Sequence, residues 1–245
     1  MHIRFLTLLV AASLALAAAS PAPVGPLGVP GTPLRPPYAA KDSVTKGGYT
    51  LVFISKDSTF SAATKRRMTE TFFTVYPREA KRFNPRTLKK LTFVIDPAYD
   101  GVAATGNGVA TYSPKWLREH PEDLDVVTHE VMHVVQAYPE DSCPGWLTEG
   151  IADYARYTYG VNNVAGHWAL PDYKAGQQYT NSYRVVARFL VWLEQHGHPN
   201  VVTALDRAAR TRTYTAGIWK QQTGHTLDEL WASYTAAPAV QLAYH

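Results

Sequence analysis

The order of hydrophobic and polar positions predicts strands in the first half of the chain. Two runs rich in β-branched and aromatic residues have the composition of buried strands, residues 49–55 (YTLVFIS) and 91–95 (LTFVI). Between them, apolar residues recur at helical spacing and predict an amphipathic helix over residues 58–76. The Gly- and Ala-rich stretch 100–108 predicts a loop, and residues 109–112 predict a short strand that leaves it.

The second half of the chain has a helical pattern almost throughout. A short helix over residues 115–119 precedes a series of longer ones. The further helices are predicted at residues 122–138, 145–159, 181–195, 201–210, 213–222 and 226–234. Strands followed by helices indicate an α+β fold, with a small N-terminal sheet with helices and a mainly helical C-terminal half.

The first 40 residues differ in composition from the rest. Arg4, an apolar run over residues 5–19 and a small-residue end at Ala17-Ala18-Ala19 are typical of a cleaved signal peptide at residues 1–19, with an uncleaved anchor as the alternative. Residues 20–40 are rich in Pro and Gly and predict an extended spacer or a short pro-segment. Residues 41–245 then form one domain of ordinary size.

Cysteine content and charge limit the surroundings in which the chain works. Cys143 is the only cysteine, so an exported domain folds without an internal disulfide. The net charge of +4 and the isoelectric point near 9.0 favour anionic surfaces such as cell walls. Scattered basic residues argue against nucleic acid as a partner. We expect a secreted, extracellular monomer with no membrane contact after signal cleavage.

The segment 129–133 (HEVMH) has the spacing of a zinc site. His129 and His133 are four residues apart, so a helix presents both imidazoles on one face, where they can bind one Zn²⁺ ion. Glu130 points about 100° around the helix and can act as general base toward a water molecule. The alternative is a pair of core histidines with a capping glutamate. Burial of these polar groups on a Val-rich helix favours the metal site.

A catalytic zinc site needs a third protein ligand. Candidates are Cys143, Glu149, Asp153, His167 and later histidines, and Glu149 is the best of them because it lies on the next predicted helix. Glu149 and Asp153 share one face of that helix, so one carboxylate can bind zinc while the other accepts the second ring N–H of a ligand histidine. The alternatives are two solvated acids and, at Cys143, a thiolate ligand or a free thiol.

These motifs resemble the basic secretory protein family, a group of peptidases of plants and bacteria. The likeness is strongest in residues 128–136 (THEVMHVVQ) and 145–154 (GWLTEGIADY), and it extends over most of residues 49–234. Weaker matches are residues 101–112, 166–168 (GHW), 183–190 (YRVVARFL) and 227–234 (LDELWASY).

The resemblance implies a zincin-like domain of the thermolysin-like, or gluzincin, kind. Carried over by residue, it implies His129, His133 and Glu149 on zinc, Glu130 as base and Asp153 as the acid that orients a ligand histidine. The chain departs from thermolysin-like enzymes in its shorter spacing between the second histidine and the ligand glutamate. Thr148 also stands where those enzymes have Asn before that glutamate.

A transition-state donor is also expected. Tyr183 is the first candidate, because it begins a helix after the ligands and resembles a family tyrosine at that place; a core or rim aromatic is the alternative. His167 is the second candidate, with a plain loop histidine beside Trp168 as the alternative. An edge strand at residues 108–112 would let an extended peptide add a strand beside the metal.

The leading hypothesis is a secreted zinc metallopeptidase, an endopeptidase that hydrolyses peptide bonds of peptide or protein substrates with water activated by zinc. One alternative is a secreted cationic defence or cell-wall binding protein with a vestigial or structural zinc site. Another is a zinc amidase acting on peptidoglycan. Glu130 favours an enzyme, because a structural zinc site does not need a general base.

Overall fold

The computed structural model describes residues 38–244, so the predicted signal peptide and nearly all of the predicted spacer lie outside the described residues. Five strands form one mixed sheet in the order β1-β2-β3-β5-β4, in which β2, β3 and β5 run parallel while β1 and β4 are antiparallel to their neighbours. The strands are β1 (Ala40–Lys46), β2 (Tyr49–Ser55), β3 (Lys90–Ile95), β4 (Ala103–Gly106) and β5 (Val109–Tyr112).

Strand β1 has no hydrophobic signal in the sequence and was not predicted. Its residues, AKDSVTK, are all exposed. It forms because its backbone pairs with β2 from Ala40 opposite Ser55 to Lys46 opposite Tyr49. Gly47 and Gly48 join the two strands with φ of 59° and 79°, a backbone conformation that glycine adopts without strain.

The stretch predicted as a loop at 100–108 contains β4, so that prediction is wrong. Asn107 and Gly108 form a two-residue turn with φ of 52° and 75°, which reverses the chain and pairs β4 with β5. Asn-Gly is the preferred sequence for this type of turn. Strand β5 therefore lies inside the sheet, between β3 and β4, and the edge strand is β4, contrary to the prediction for residues 108–112.

The described residues also contain eight α-helices and a short 3-10 helix at Tyr179–Asn181, and the α+β prediction is confirmed. The α-helices are α1 (Ala62–Arg82), α2 (Pro114–Glu119), α3 (Val126–Gln136), α4 (Gly145–Tyr159), α5 (Tyr183–Gln195), α6 (Val201–Arg210), α7 (Ile218–Thr223) and α8 (Leu227–Ala236). None of the helices in residues 38–244 combines the length and the apolar character that crossing a membrane requires.

Helix α1 starts later and ends later than its pattern predicts. Ser61 sets the start, because its hydroxyl accepts a hydrogen bond from the backbone N–H of Thr64. The helix continues through Pro77, which lacks a backbone N–H. Burial of Tyr76, Glu79 and Ala80 on either side of Pro77 shows why: packing against the core outweighs the loss of one helical hydrogen bond.

Helix α3 is the most enclosed helix of the site. Every residue from Val126 to Gln136 is buried except His133, which is partly buried. The helix contacts α1 on one side, α4 on another and the edge strand β4. It ends where Ala137 adopts a left-handed conformation with φ of 45°. A rigid, buried helix of this kind holds its polar side chains in fixed positions.

Helices α4 and α5 approach each other closely at Gly150. A Cβ atom at Gly150 would lie 2.3 Å from Cγ1 of the fully buried Val186, so no larger residue fits without movement of α5. Gly150 directly follows Glu149, and Tyr183 begins α5. The contact therefore sets how near the start of α5 lies to the polar residues of α4.

The C-terminal tail, residues 238–244, packs back on the helical half. The backbone N–H of Ala243 donates to Tyr157 Oη at 3.2 Å, and Tyr244 Oη accepts from the N–H of Leu170 at 2.9 Å. Leu170 belongs to the long connection between α4 and α5, which also contains His167 and Trp168. The tail thus supports that connection from outside.

Candidate metal centre and active-site cleft

His129, His133 and Glu149 bring three donor atoms to one point. His129 Nε2 lies 3.2 Å from His133 Nε2 and 3.2 Å from Glu149 Oε2, and His133 Nε2 lies 3.6 Å from the same oxygen. The two histidines come from adjacent turns of α3, and the glutamate comes from the second turn of α4. Among the residues in 38–244, this is the one group of three or more His, Cys, Asp or Glu side chains with such convergent atoms.

The outer nitrogens of both imidazoles are already bonded. His129 Nδ1 lies 2.7 Å from Asp153 Oδ1, one turn after Glu149 on α4. His133 Nδ1 lies 2.7 Å from Gln136 Oε1. A neutral ring that donates from Nδ1 keeps its lone pair on Nε2, so these two partners favour the tautomer that a metal ligand needs.

Electrostatics at this point favour positive charge. Burial by itself lowers the pKa of His129, but hydrogen bonds to Asp153 and Glu149 outweigh it and raise that pKa to about 10. Burial raises the pKa of Glu149, yet hydrogen bonds from His129 and His133 outweigh that effect and bring it to about 2. The carboxylates thus favour positive charge at this point, which is a proton on His129 when no metal is bound and would be the metal ion when one is.

The donor set fits a zinc ion. Zinc binds imidazole nitrogen and carboxylate oxygen at about 2.0–2.2 Å in a tetrahedron, whose corners are then about 3.3 Å apart. The observed separations of 3.2, 3.2 and 3.6 Å match those edges. Two imidazoles with one carboxylate leave a fourth corner for water or substrate, as catalytic zinc sites require.

Glu130 lies beside this cluster and is held by the edge strand. Its Oε2 accepts a hydrogen bond of 2.7 Å from Thr105 Oγ1 of β4. Thr105 faces inward because it pairs with Ala110, a buried residue of β5. The Thr105 contact depends on the β4–β5 register, which the sequence reasoning missed when it assigned residues 100–108 to a loop.

Tyr183 lies over the cluster at the start of α5. Its ring stacks on that of His129, with centroids 6.2 Å apart and planes at 15°, and 53% of the residue is exposed. Ser182 and Tyr183 both have positive φ, 64° and 48°, a strained conformation for residues other than glycine. Partial burial and the nearby carboxylates of Glu149 and Asp153 raise the pKa of the phenol, so it remains a donor at neutral pH.

The other two predicted candidates lie apart from the cluster. His167 is exposed in the connection between α4 and α5, with φ of 52°, and it lines the same cleft. Cys143 lies before α4, where its Sγ is 3.3 Å from Thr148 Oγ1, and burial raises the pKa of its thiol. The convergent group of donor atoms includes neither residue.

Gln136 is a second site residue that the sequence reasoning did not single out. It lies three residues after His133, which places it on the same helix face, and this spacing is the signal that could have identified it. Its Nε2 also donates to the carbonyl oxygen of Thr148 at 2.8 Å. Gln136 therefore bonds a histidine of α3 and the backbone of α4 at once.

The cluster opens into a cleft of about 1660 Å³. Its wall includes the whole of the edge strand β4 and the residues on either side of it, from Val102 to Gly108. The wall contains Leu88 near the Gly108 end of this segment, and Trp116 and Trp168 near the Val102 end. The cleft thus extends past the polar cluster along the strand direction.

The fold is similar to that of solved zinc metallopeptidases. A mutant of a two-domain M1 zinc metallopeptidase bound to L-tryptophan aligns with a TM-score of 0.50 and 16% identity over 84% of this chain and 53% of that one. A mutant of the M1 zinc metallopeptidase from Deinococcus radiodurans bound to a Tyr-Ser-Ala substrate gives the same values. At this identity the likeness shows the zincin-like fold, and the chain spans about half the length of those enzymes.

The sequence comparisons assign the family. No curated protein matches the chain. The family model described as peptidase of plants and bacteria matches residues 38–234, which include every strand, the cluster and nearly all of α8. The chain therefore belongs to the family of peptidases of plants and bacteria.

Proposed function

We propose that this chain is a secreted, zinc-dependent endopeptidase. The observation that carries the proposal is the convergence of His129 Nε2, His133 Nε2 and Glu149 Oε2 at 3.2–3.6 Å, while both Nδ1 atoms are bonded to acceptors. A zinc ion bound there would supply Lewis-acid polarisation of the scissile carbonyl and a more acidic water. Membership in a peptidase family and the zincin-like fold support this chemistry.

Glu130 is the general base in this proposal. It follows the first histidine on α3, and its carboxylate lies at the cluster without belonging to the convergent donor set. It takes a proton from the attacking water and transfers it to the leaving amine. Tyr183 donates a hydrogen bond from its phenol to the oxyanion, which needs a donor aimed at the developing charge. Asp153 holds the ring of His129.

An extended peptide is the substrate that suits the cleft. Strand β4 is an edge of the sheet and lines the cleft together with the cluster. A peptide can pair with such an edge through its backbone, independently of its side chains. Because the cleft continues past both ends of β4, it can hold residues on both sides of the scissile bond. This favours cleavage within a chain.

We further propose that the protein acts outside the cell as a monomer. The N-terminal pattern of a charged start, an apolar run and an Ala-x-Ala end supports export. The net charge of +4 supports attraction to an anionic cell wall. The substrate is a peptide or protein, and neither nucleic acid nor a membrane is a partner of the mature chain.

Substitution of Glu130 tests the mechanism directly. Glu130→Gln keeps a side chain that can accept from Thr105 but cannot take a proton, so hydrolysis of casein falls about 10²–10⁴-fold. Zinc content, measured by atomic absorption, stays at one ion per chain. Glu119→Gln, at an exposed position of α2, is the matched control and retains activity. Full activity of Glu130→Gln with zinc bound would refute the mechanism.

The same assay separates the competing functions. Glu149→Ala removes one of three donors and should abolish tight zinc binding, whereas unchanged affinity would show that the ligand assignment is wrong. Parallel incubation with peptidoglycan distinguishes an amidase from a peptidase. A protein that binds cell walls and zinc but hydrolyses neither substrate would support the defence or binding-protein alternative.

A further inference from the structure

Gln136 makes two hydrogen bonds in a fully enclosed position. The residue is 1% exposed and lies at the end of α3. Its Oε1 is 2.7 Å from His133 Nδ1, and its Nε2 is 2.8 Å from the carbonyl oxygen of Thr148. Both ends of the amide are therefore engaged, one by a side chain of α3 and the other by the backbone of α4.

The orientation of this amide follows from its partners. A backbone carbonyl only accepts hydrogen bonds, so the NH₂ group of Gln136 must face Thr148. The amide oxygen must then face His133, and because that oxygen only accepts, His133 Nδ1 must carry the proton. The neutral ring consequently has its lone pair on Nε2, the atom that faces His129 and Glu149.

The hydrogen bond from Gln136 to Thr148 also constrains the distance between His133 and Glu149. Thr148 immediately precedes Glu149, so Gln136 connects the ring of one donor residue to the backbone next to another. The Thr148 side chain takes no part in this link, since its hydroxyl lies against Cys143. One buried amide thereby relates the second histidine of α3 to the glutamate of α4.

We propose that Gln136 is a positioning residue that fixes the tautomer of His133 and its placement relative to Glu149, and so sets the affinity of the chain for zinc. The inference rests on the zinc site of the proposed function. It extends that proposal by giving Gln136 a positioning role. Gln136 holds the ring of His133, as Asp153 holds the ring of His129.

A matched control separates positioning from packing. Thr87 Oγ1 donates a buried hydrogen bond of 3.0 Å to the carbonyl oxygen of Val134, in the same last turn of α3, and its other hydrogen-bond partner is Tyr76 Oη at 3.0 Å, not a donor residue of the cluster. Thr87→Val therefore removes one hydrogen bond from this helix end with little change in volume. Gln136→Met removes both bonds of the amide at similar length, and Gln136→Glu keeps an acceptor for His133 but loses the donor to Thr148.

The test measures metal binding in the purified chain. Zinc affinity is obtained by competition with a chromophoric chelator, and the visible spectrum of the Co²⁺-loaded chain reports ligand geometry. Gln136→Met should bind zinc about 10–100-fold more weakly and should alter the cobalt spectrum, because a ligand histidine has lost its outer-sphere partner. Gln136→Glu should lose less affinity than Gln136→Met, and Thr87→Val should bind zinc as the unaltered chain does.

Two results would overturn the inference. One is an unchanged affinity and cobalt spectrum in Gln136→Met; the other is an equal loss in Thr87→Val, which would assign the effect to packing. If Gln136→Met does not fold, Gln136→Glu decides, since weaker zinc binding with a changed cobalt spectrum supports the inference and an unaltered pair of readings refutes it. Failure of the unaltered chain to bind zinc would instead refute the proposed function.

Discussion

The hydroxyl of Thr105 donates a 2.7 Å hydrogen bond to Glu130 Oε2, and this contact joins the edge strand β4 to helix α3. Strand β4 is where a peptide substrate would pair, and Glu130 is the proposed base. Thr105 therefore belongs to the strand that would pair with the peptide, and its side chain also contacts the proposed base, Glu130. It holds the carboxylate in one position before any substrate enters.

Thr105→Val should lower kcat with little change in KM or zinc content. Valine has the shape of threonine without the donor, so the Glu130 carboxylate loses one hydrogen bond, worth about 1.5–3 kcal/mol for a charged acceptor. We expect a fall in kcat of about tenfold to a hundredfold. Thr105→Ser restores the donor and should recover most of the rate. A serine variant as slow as the valine variant would contradict this role.

Tyr183→Phe should reduce kcat by about 10²–10³-fold, the usual loss when one oxyanion donor is removed. The ring and its stacking on His129 remain, so substrate binding and zinc content should stay close to those of the unaltered chain. Tyr179→Phe is the control, because Tyr179 lies shortly before α5 and its hydroxyl donates to Asp228. Equal rates for Tyr183→Phe and the unaltered chain would leave Tyr183 as a rim aromatic.

Gly150→Ala should destabilise the fold by about 1–3 kcal/mol through overpacking. The added methyl group would lie 2.3 Å from Cγ1 of Val186, which is fully buried and cannot turn away. Urea unfolding of the single variants and of Gly150→Ala/Val186→Ala measures the coupling, and the double variant should recover part of the loss. Strict additivity of the two single effects would show that α4 and α5 do not meet as closely as described.

Glu79 should make stability depend on pH. It is fully buried on α1, neither of its oxygens has a hydrogen-bond partner within residues 38–244, and burial raises the pKa of its carboxyl well above 4.5. The folded state therefore favours the protonated form. Its contribution to stability is complete below about pH 4.5 and is lost as pH rises from there toward the folded pKa, by up to about 1.4 kcal/mol per pH unit.

Glu79→Met removes this titration while it keeps the length of the side chain. Urea unfolding of the metal-free chain at several pH values from 4 to 8 should show that the variant gains stability over the unaltered chain as pH increases. The control is Glu70→Gln, on the exposed side of the same helix. A difference between variant and unaltered chain that stays constant with pH would mean that Glu79 titrates normally.

Residues with strong local signals were predicted well. The bounds of β2 and α6 agree with the apolar pattern, and α4 begins after Pro144 and ends before Gly160 as expected. Strands β1 and β4 were missed because polar, Ala or Gly residues form them, and their stability comes from backbone pairing with a neighbour. The predicted helix ended at residue 76, whereas α1 continues through Pro77 to Arg82 because core packing overrides one missing hydrogen bond.

The residues of the candidate site likewise divide into those that the sequence predicted and those that it did not. Helical spacing on two neighbouring helices relates four of the site residues, His129, His133, Glu149 and Asp153. The sequence alone therefore predicted that these residues lie close together. Thr105 reaches Glu130 only through the register of the β4–β5 hairpin, and the full role of Gln136 depends on the Thr148 carbonyl across the helix pair. Contacts of this kind depend on tertiary geometry, which periodicity does not encode.

The C-terminal tail has a practical consequence for anyone who produces this protein. The family match ends at residue 234, yet residues 238–244 make hydrogen bonds to Tyr157 of α4 and to Leu170 of the connection that contains Trp168. An affinity tag fused after the last residue would extend from the tail that supports this wall of the cleft. A recombinant chain for kinetic work should therefore begin after the predicted signal peptide and have its tag there, or have a cleavable tag at the C-terminus.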